Sequence, residues 1–117
     1  MIRHDNQEGS VIVSASVYSD IAGTAATNCF GVKGMAARSV KDGVYRLLRK
    51  ESASKGVRVQ VHEDDSISID LHIMVDRDVN LTAVGESIIS EVRYVVTQHT
   101  GTEVRAVNVY IDSMSIG

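Results

Sequence analysis

Two stretches of strict alternation constrain this chain more than any other feature. In Val57-Arg58-Val59-Gln60-Val61-His62 the odd positions are apolar. In Ile67-Ser68-Ile69-Asp70-Leu71-His72-Ile73-Met74-Val75 the odd positions are apolar again. A period of two marks a strand with one packed face and one wet face. For both apolar sets to share a sheet face, odd residues must pair with odd residues. The loop around Glu63-Asp64-Asp65-Ser66 must then hold an odd number of residues, about three or five. A two-residue primed turn is disfavoured, because the segment has no Gly or Asn. The wet face carries Arg58, Gln60, Ser68, Asp70 and His72.

The rest of the chain supplies partners for that hairpin. Residues 1–8 are polar and read as a disordered tail, leaving residues 9–117 as a single domain. Gly9-Ser10-Val11-Ile12-Val13 reads as a short β-branched strand, and Ser14 as the N-cap of a first helix. Val17, Tyr18, Ile21, Ala22, Ala25, Ala26 and Cys29 follow at helical spacing. The small residues Ala22, Gly23, Ala25 and Ala26 allow a very close approach by whatever covers them. Gly31–Met35 is either a brief strand or an ordered loop. A second helix is predicted from about Ser39 or Val40 to Ser52, with Val40, Val44, Leu47 and Leu48 as its stripe. A third is predicted from about Thr82 to His99, with Leu81, Val84, Ile88, Val92, Val95 and Val96 inward and Gly101 closing it. Glu103–Ile111 alternates as a last strand. The order β-α-(β)-α-β-β-α-β predicts an α+β, two-layer domain: a mixed β-sheet of about three to four strands with helices on one face. The strands flanking the third helix should run parallel.

Composition removes several function classes. The chain has 117 residues, enough for one core without disulfides. Its net charge of −3 and 4% aromatics supply neither a cationic field nor stacking platforms for nucleic acid. The single Cys29 makes no internal disulfide, which fits a reducing, cytoplasmic setting. No run approaches the length of a transmembrane helix.

Candidate chemistry is sparse. His62, His72 and Asp70 share the wet face by parity and have the residue types of a divalent-metal patch. A solvated strand face explains them more simply, and no metal or other cofactor is expected. Cys29 lies near a helix C-terminus, where the dipole raises a thiol pKa, so a small core residue is the better reading. Gly31 and Gly34 form no phosphate-binding loop, and no nucleophile elbow is present. Asp64-Asp65 and the pair Asp76 and Asp78 fall in loops or at strand ends. No catalytic residues are expected, and the chain reads as a non-enzyme.

Charge placement is more informative. Between Arg38 and Arg58 seven basic residues face only Asp42 and Glu51. Between His62 and Asp78 six acidic residues face Arg77 alone. An ordinary solvated surface is one explanation. The other is docking, with Arg38, Lys41, Arg46, Arg49, Lys50, Lys55 and Arg58 meeting Glu63, Asp64 and Asp65 of a second copy or a partner. The basic residues would also suit anionic head groups.

The residues also carry a family pattern. Gly9-Ser10-Val11-Ile12-Val13-Ser14 leads into Ile21-Ala22-Gly23-Thr24-Ala25-Ala26 and then Cys29-Phe30-Gly31-Val32-Lys33-Gly34-Met35. Lys55-Gly56-Val57-Arg58-Val59, Ile69-Asp70-Leu71, Thr100-Gly101-Thr102-Glu103-Val104 and Val107-Asn108-Val109-Tyr110 follow in order. Together they resemble the alkaline shock protein family of Gram-positive bacteria, also called the general-stress or envelope stress response family. The likeness spans residues 9–111. Met35-Ala36, Lys41-Asp42-Gly43 and Leu48-Arg49-Lys50-Glu51 look closest to a stand-alone subgroup encoded beside a fatty-acid kinase, a dihydroxyacetone-kinase-like protein. The resemblance implies a non-enzymatic cytoplasmic scaffold or adaptor that self-associates and is held near the membrane by a membrane-embedded partner. Its alternative implication is an accessory subunit in lipid metabolism. Relatives often start the third helix with Pro, where this chain has Leu81-Thr82-Ala83 and Thr82 is expected to cap.

Overall fold

A computed structural model of the chain describes residues 2–38, 45–48 and 50–114. Its core is built on the two alternating strands. β5 (Val57–Val61) and β6 (Ile67–Val75) pair antiparallel in the register Val57↔Leu71, Val59↔Ile69, Val61↔Ile67. Odd residues meet odd residues, and the connecting loop is the five-residue segment 62–66. The loop closes with Asp65 at φ 65°, the left-handed geometry that Asp tolerates in a tight reversal. Ile67, Ile69, Leu71, Ile73 and Val75 are fully buried, while the even residues of β6 are half-buried.

The remaining strands complete a mixed sheet around β6. β7 (Val104–Met114) runs parallel to β6 along its whole length, as a crossover through a helix requires. β3 (Val32–Arg38) pairs antiparallel with residues 73–75 of β6. Since β7 occupies one edge of β6, β3 and β5 share the other edge end to end. The segment Gly31–Met35, open between strand and loop in the sequence, is therefore largely strand.

The second predicted helix is not found among the described residues of its span. Residues 45–47 form β4 (Tyr45–Leu47), which pairs with β3 through Ala36↔Leu47, Ala37↔Arg46 and Arg38↔Tyr45. A 3-10 helix (Lys50–Gly56) follows. Residues 39–44 and 49 lie outside the described residues. The reason is backbone demand: β3 runs beyond its contact with β6, and residues 36–38 need hydrogen-bond partners that a helix would not supply. The Leu48 N–H donates to the Met35 carbonyl at 2.7 Å and ties this turn back to β3.

The presumed tail also differs. β1 (Ile2–Asn6) pairs with β2 (Gly9–Val13) in an antiparallel hairpin, and Ile2 is buried. Neither strand joins the main sheet. A polar stretch gave no periodic signal, because Arg3, Asp5 and Ser10 satisfy one another along the hairpin surface.

Two helices cover the odd-residue face. α1 (Ala15–Thr27) buries Tyr18, Ala22, Gly23, Ala25 and Ala26. A Cβ at Gly23 would lie 3.3 Å from the Ala53 carbonyl oxygen, so the small face admits the 3-10 helix at close range. Ser14 is the N-cap position, but its hydroxyl meets Ser16 rather than a backbone N–H. α2 (Leu81–Thr100) buries Val84, Ile88, Val92 and Val96, and Gly101 closes it in the left-handed conformation. Its cap is Asn80, whose side chain accepts from the Ala83 N–H at 3.0 Å, and not Thr82.

Candidate interaction surfaces

The wet face of the sheet is a ladder of polar pairs. β6 and β7 align Ser68↔Ala106, Asp70↔Asn108 and His72↔Tyr110. Asn108 Nδ2 donates to Asp70 Oδ1 at 2.9 Å. The His72 ring stacks on Tyr110 with centroids 4.9 Å apart and 13° between planes. His72 Nδ1 also lies 2.7 Å from Asp112 Oδ2. His62 Nε2 is 2.7 Å from Ser68 Oγ. The three side chains that parity placed together are thus each committed to a different neighbour. Among the described residues, no group of three or more His, Cys, Asp or Glu is arranged to hold a metal ion.

The acidic loop is built around one carboxylate. Asp64 accepts from the Ser66 hydroxyl at 2.6 Å, the Ser66 N–H at 3.1 Å and Arg105 Nη2 at 3.1 Å. The bonds from Ser66, with smaller help from Arg105, hold its carboxyl down at about 2. Glu63 and Asp65 are exposed beside it and make no ion pair among the described residues.

The basic residues do not form one helical face. Arg38 ends β3, Arg46 lies in β4, Lys50 opens the 3-10 helix, and Lys55 and Arg58 are exposed at its end and on β5. Lys41 and Arg49 fall outside the described residues. Arg58 is aligned with Asp70 and borders a shallow cavity of about 430 Å³ with Val59, Gln60 and Asp70.

Cys29 packs against the core, and its Sγ lies 3.4 Å from the Ala25 carbonyl. Burial pushes its thiol pKa up, and the Glu91 charge adds to the rise, which is the opposite of nucleophile activation. The sequence placed the thiol correctly but credited the helix dipole.

Apolar exposure is what sequence reasoning missed. Val11 is 60% and Ile12 54% exposed on β2, and Val11 borders a groove with Val13, Val17 and Ile21. Phe30 is 89% exposed after α1 and edges a surface cavity of about 650 Å³ with Val79 and Val84. Alternation alone cannot tell a strand inside a sheet from one in a separate hairpin. The run Gly9–Val13, read as a short β-branched strand, is a strand, but of the separate hairpin.

Comparison with known proteins places this architecture. A family model for the alkaline shock protein 23 family, of cell envelope-related function, matches residues 3–116. The chain belongs to this family. Among members, YloU of Bacillus subtilis (strain 168) is 36% identical, with 92% of this chain and 90% of YloU aligned. Spy1614 of Streptococcus pyogenes serotype M6 is 32% identical, with 98% and 95% aligned. Neither name carries an enzymatic activity. A solved structure of a MamM variant aligns over 87% of each chain with a TM-score of 0.50 and 17% identity, a likeness of fold alone. No helix among the described residues is long and apolar enough to cross a membrane.

Proposed function

We propose that this alkaline shock protein 23 family member is a non-enzymatic cytoplasmic scaffold or adaptor of the cell-envelope stress response. It works through self-association and protein partners, with a membrane-embedded anchor as one partner class. The observation that carries this reading is the β1–β2 hairpin, which exposes Val11 and Ile12 on adjacent, oppositely directed positions. A two-stranded hairpin is marginal in water, and exposed β-branched side chains on both of its faces favour cover by another chain. The acidic loop supplies a second contact, through Glu63 and Asp65 flanking Asp64, and the basic residues Arg38, Lys41, Arg46, Arg49, Lys50, Lys55 and Arg58 supply its complement.

Analytical ultracentrifugation across a concentration series tests this. The wild-type chain should sediment above monomer mass, and Val11→Asp with Ile12→Asp should shift it towards monomer. Reversing Glu63 and Asp65 to Lys should weaken association in a salt-sensitive way. Unchanged sedimentation of both variants refutes these contacts. The second reading, an accessory subunit of a fatty-acid kinase, draws on the Phe30 cavity. Native mass spectrometry with a fatty acid present should then show an acyl adduct that Phe30→Asp abolishes.

A further inference from the structure

Phe30 is 89% exposed, more than any other large apolar side chain among the described residues. A single exposed apolar residue is ordinary, but this one is held in place. The Val32 N–H donates to the Cys29 carbonyl at 3.3 Å and closes a tight turn with Phe30 and Gly31 at its centre. Gly31 takes φ 85° at the third position, where type II geometry favours glycine. A Cβ there would lie 3.0 Å from Val84 Cγ2 and 3.1 Å from Val79 Cγ1, so the turn rests directly on the apolar floor of the neighbouring cavity. The Gly31 carbonyl also accepts from the Asp76 N–H at 3.0 Å, which fastens the cavity's rim to the same turn. Ring and cavity are therefore fixed relative to each other.

The cavity, of about 650 Å³, is walled by Val79, Ala83, Val84 and one edge of Phe30. With most of its surface in water, the Phe30 ring does not fill it. Asp76, Arg77 and Asp78 form the rim, and all three are exposed. None of them makes an ion pair among the described residues.

We infer that Phe30 docks into this cavity on a second copy of the chain, and the second copy's ring into the first, about a two-fold axis between turn and cavity. A projecting ring and an unfilled cavity side by side on one surface meet the demand of an isologous contact, in which residue i meets j and j meets i. The rim is self-complementary in the same way. Arg77 of one copy faces Asp76 and Asp78 of the other, and none of these charges has a competing partner in its own chain. An aromatic anchor in an apolar pocket with a polar surround is the usual centre of a protein interface. A ring already fixed by its turn loses little freedom on docking. The contact lies just past the end of α1, whereas Val11 and Ile12 precede its start, so variants at one surface leave the other intact.

This inference rests on the self-association reading, and the experiment separates the two. Phe30 is the only phenylalanine in the chain, so 4-fluorophenylalanine labels it alone. Its fluorine resonance should shift as concentration rises through the dimerisation range. A resonance that stays fixed while sedimentation equilibrium reports dimers overturns the Phe30 contact and leaves self-association standing. Phe30→Ala should weaken dimerisation about a hundredfold or more, because each dimer loses two anchors. Thermal unfolding of this variant should match the wild type, since the ring is exposed. Wild-type dimerisation of Phe30→Ala overturns the contact. Arg77→Asp, and separately Asp76→Arg with Asp78→Arg, should each weaken dimerisation, and an equimolar mixture of the two variants should restore it. Weakening without recovery in the mixture overturns the two-fold pairing of the rims. A wild-type chain that is monomeric at every concentration overturns both readings, and an acyl adduct on that monomer gives the cavity to a ligand instead.

Discussion

At the residue scale, Asp64 organises the loop that lets the two alternating strands meet in register. Its carboxyl is held at about 2, below the ordinary 3.8, first by Ser66 and then by Arg105. A depressed folded-state pKa means that the ionised form is favoured by folding. The contribution is fully present above pH 3.8 and is lost as pH falls through about 2. Asp64→Asn should therefore cost stability near neutral pH and narrow the gap between stability at about pH 5 and about pH 2. Urea titrations at the two pH values measure this, and an unchanged gap would show that the exposed pairings are not maintained in solution. Sequence reading took Asp64 as one of three equivalent loop charges. It had no means of seeing Ser66 fold back beneath it or Arg105 arrive from β7.

At the scale of elements, legibility followed period. The odd-with-odd pairing of β5 and β6 and the odd loop length were implied by where apolar residues fall at a spacing of two, and the parallel placement of β7 by the helix that joins it to β6. The α2 stripe was legible in the same way at helical spacing. The stretch after β3 was not, because Val40, Val44, Leu47 and Leu48 suit a helix locally while the far end of β3 demands a strand partner. Tertiary demand overrode local pattern there. Helix ends were legible at Gly101 and misread at Thr82, since Asn80 caps instead. Asn80→Ala removes an acceptor from the Ala83 N–H and should lower stability by about 1 kcal/mol. Thr82→Ala should cost much less. Thermal unfolding of the two variants side by side distinguishes them, and equal losses would move the cap to Thr82.

At the scale of the molecule, the outline is elongated, 54 × 32 × 23 Å, with a radius of gyration of 14.9 Å. A compact chain of this length would be nearer 13 Å. A hairpin paired only with itself needs an anchor to keep a fixed pose, and the candidate surface of Val11 and Ile12 depends on that pose. The anchor is polar as well as apolar. The Tyr18 hydroxyl on fully buried α1 packing lies 2.7 Å from Thr102 Oγ1, and Thr102 Oγ1 lies 3.3 Å from His4 Nε2 on β1. One buried threonine thus links α1, the start of β7 and the hairpin. Tyr18→Phe keeps the ring volume and deletes the hydroxyl, so it should cost about 1 kcal/mol globally. Thr102→Val removes the central group and should release the hairpin further, because His4 then loses its partner in the body. Amide exchange in β1 and β2 should accelerate in Thr102→Val more than exchange in β6, since local opening reports on the tether and not on the core. A uniform acceleration across both would mean that the hairpin opens only when the whole chain unfolds. In that case its exposed valine and isoleucine belong to a rigid surface, and a partner would meet them already in place.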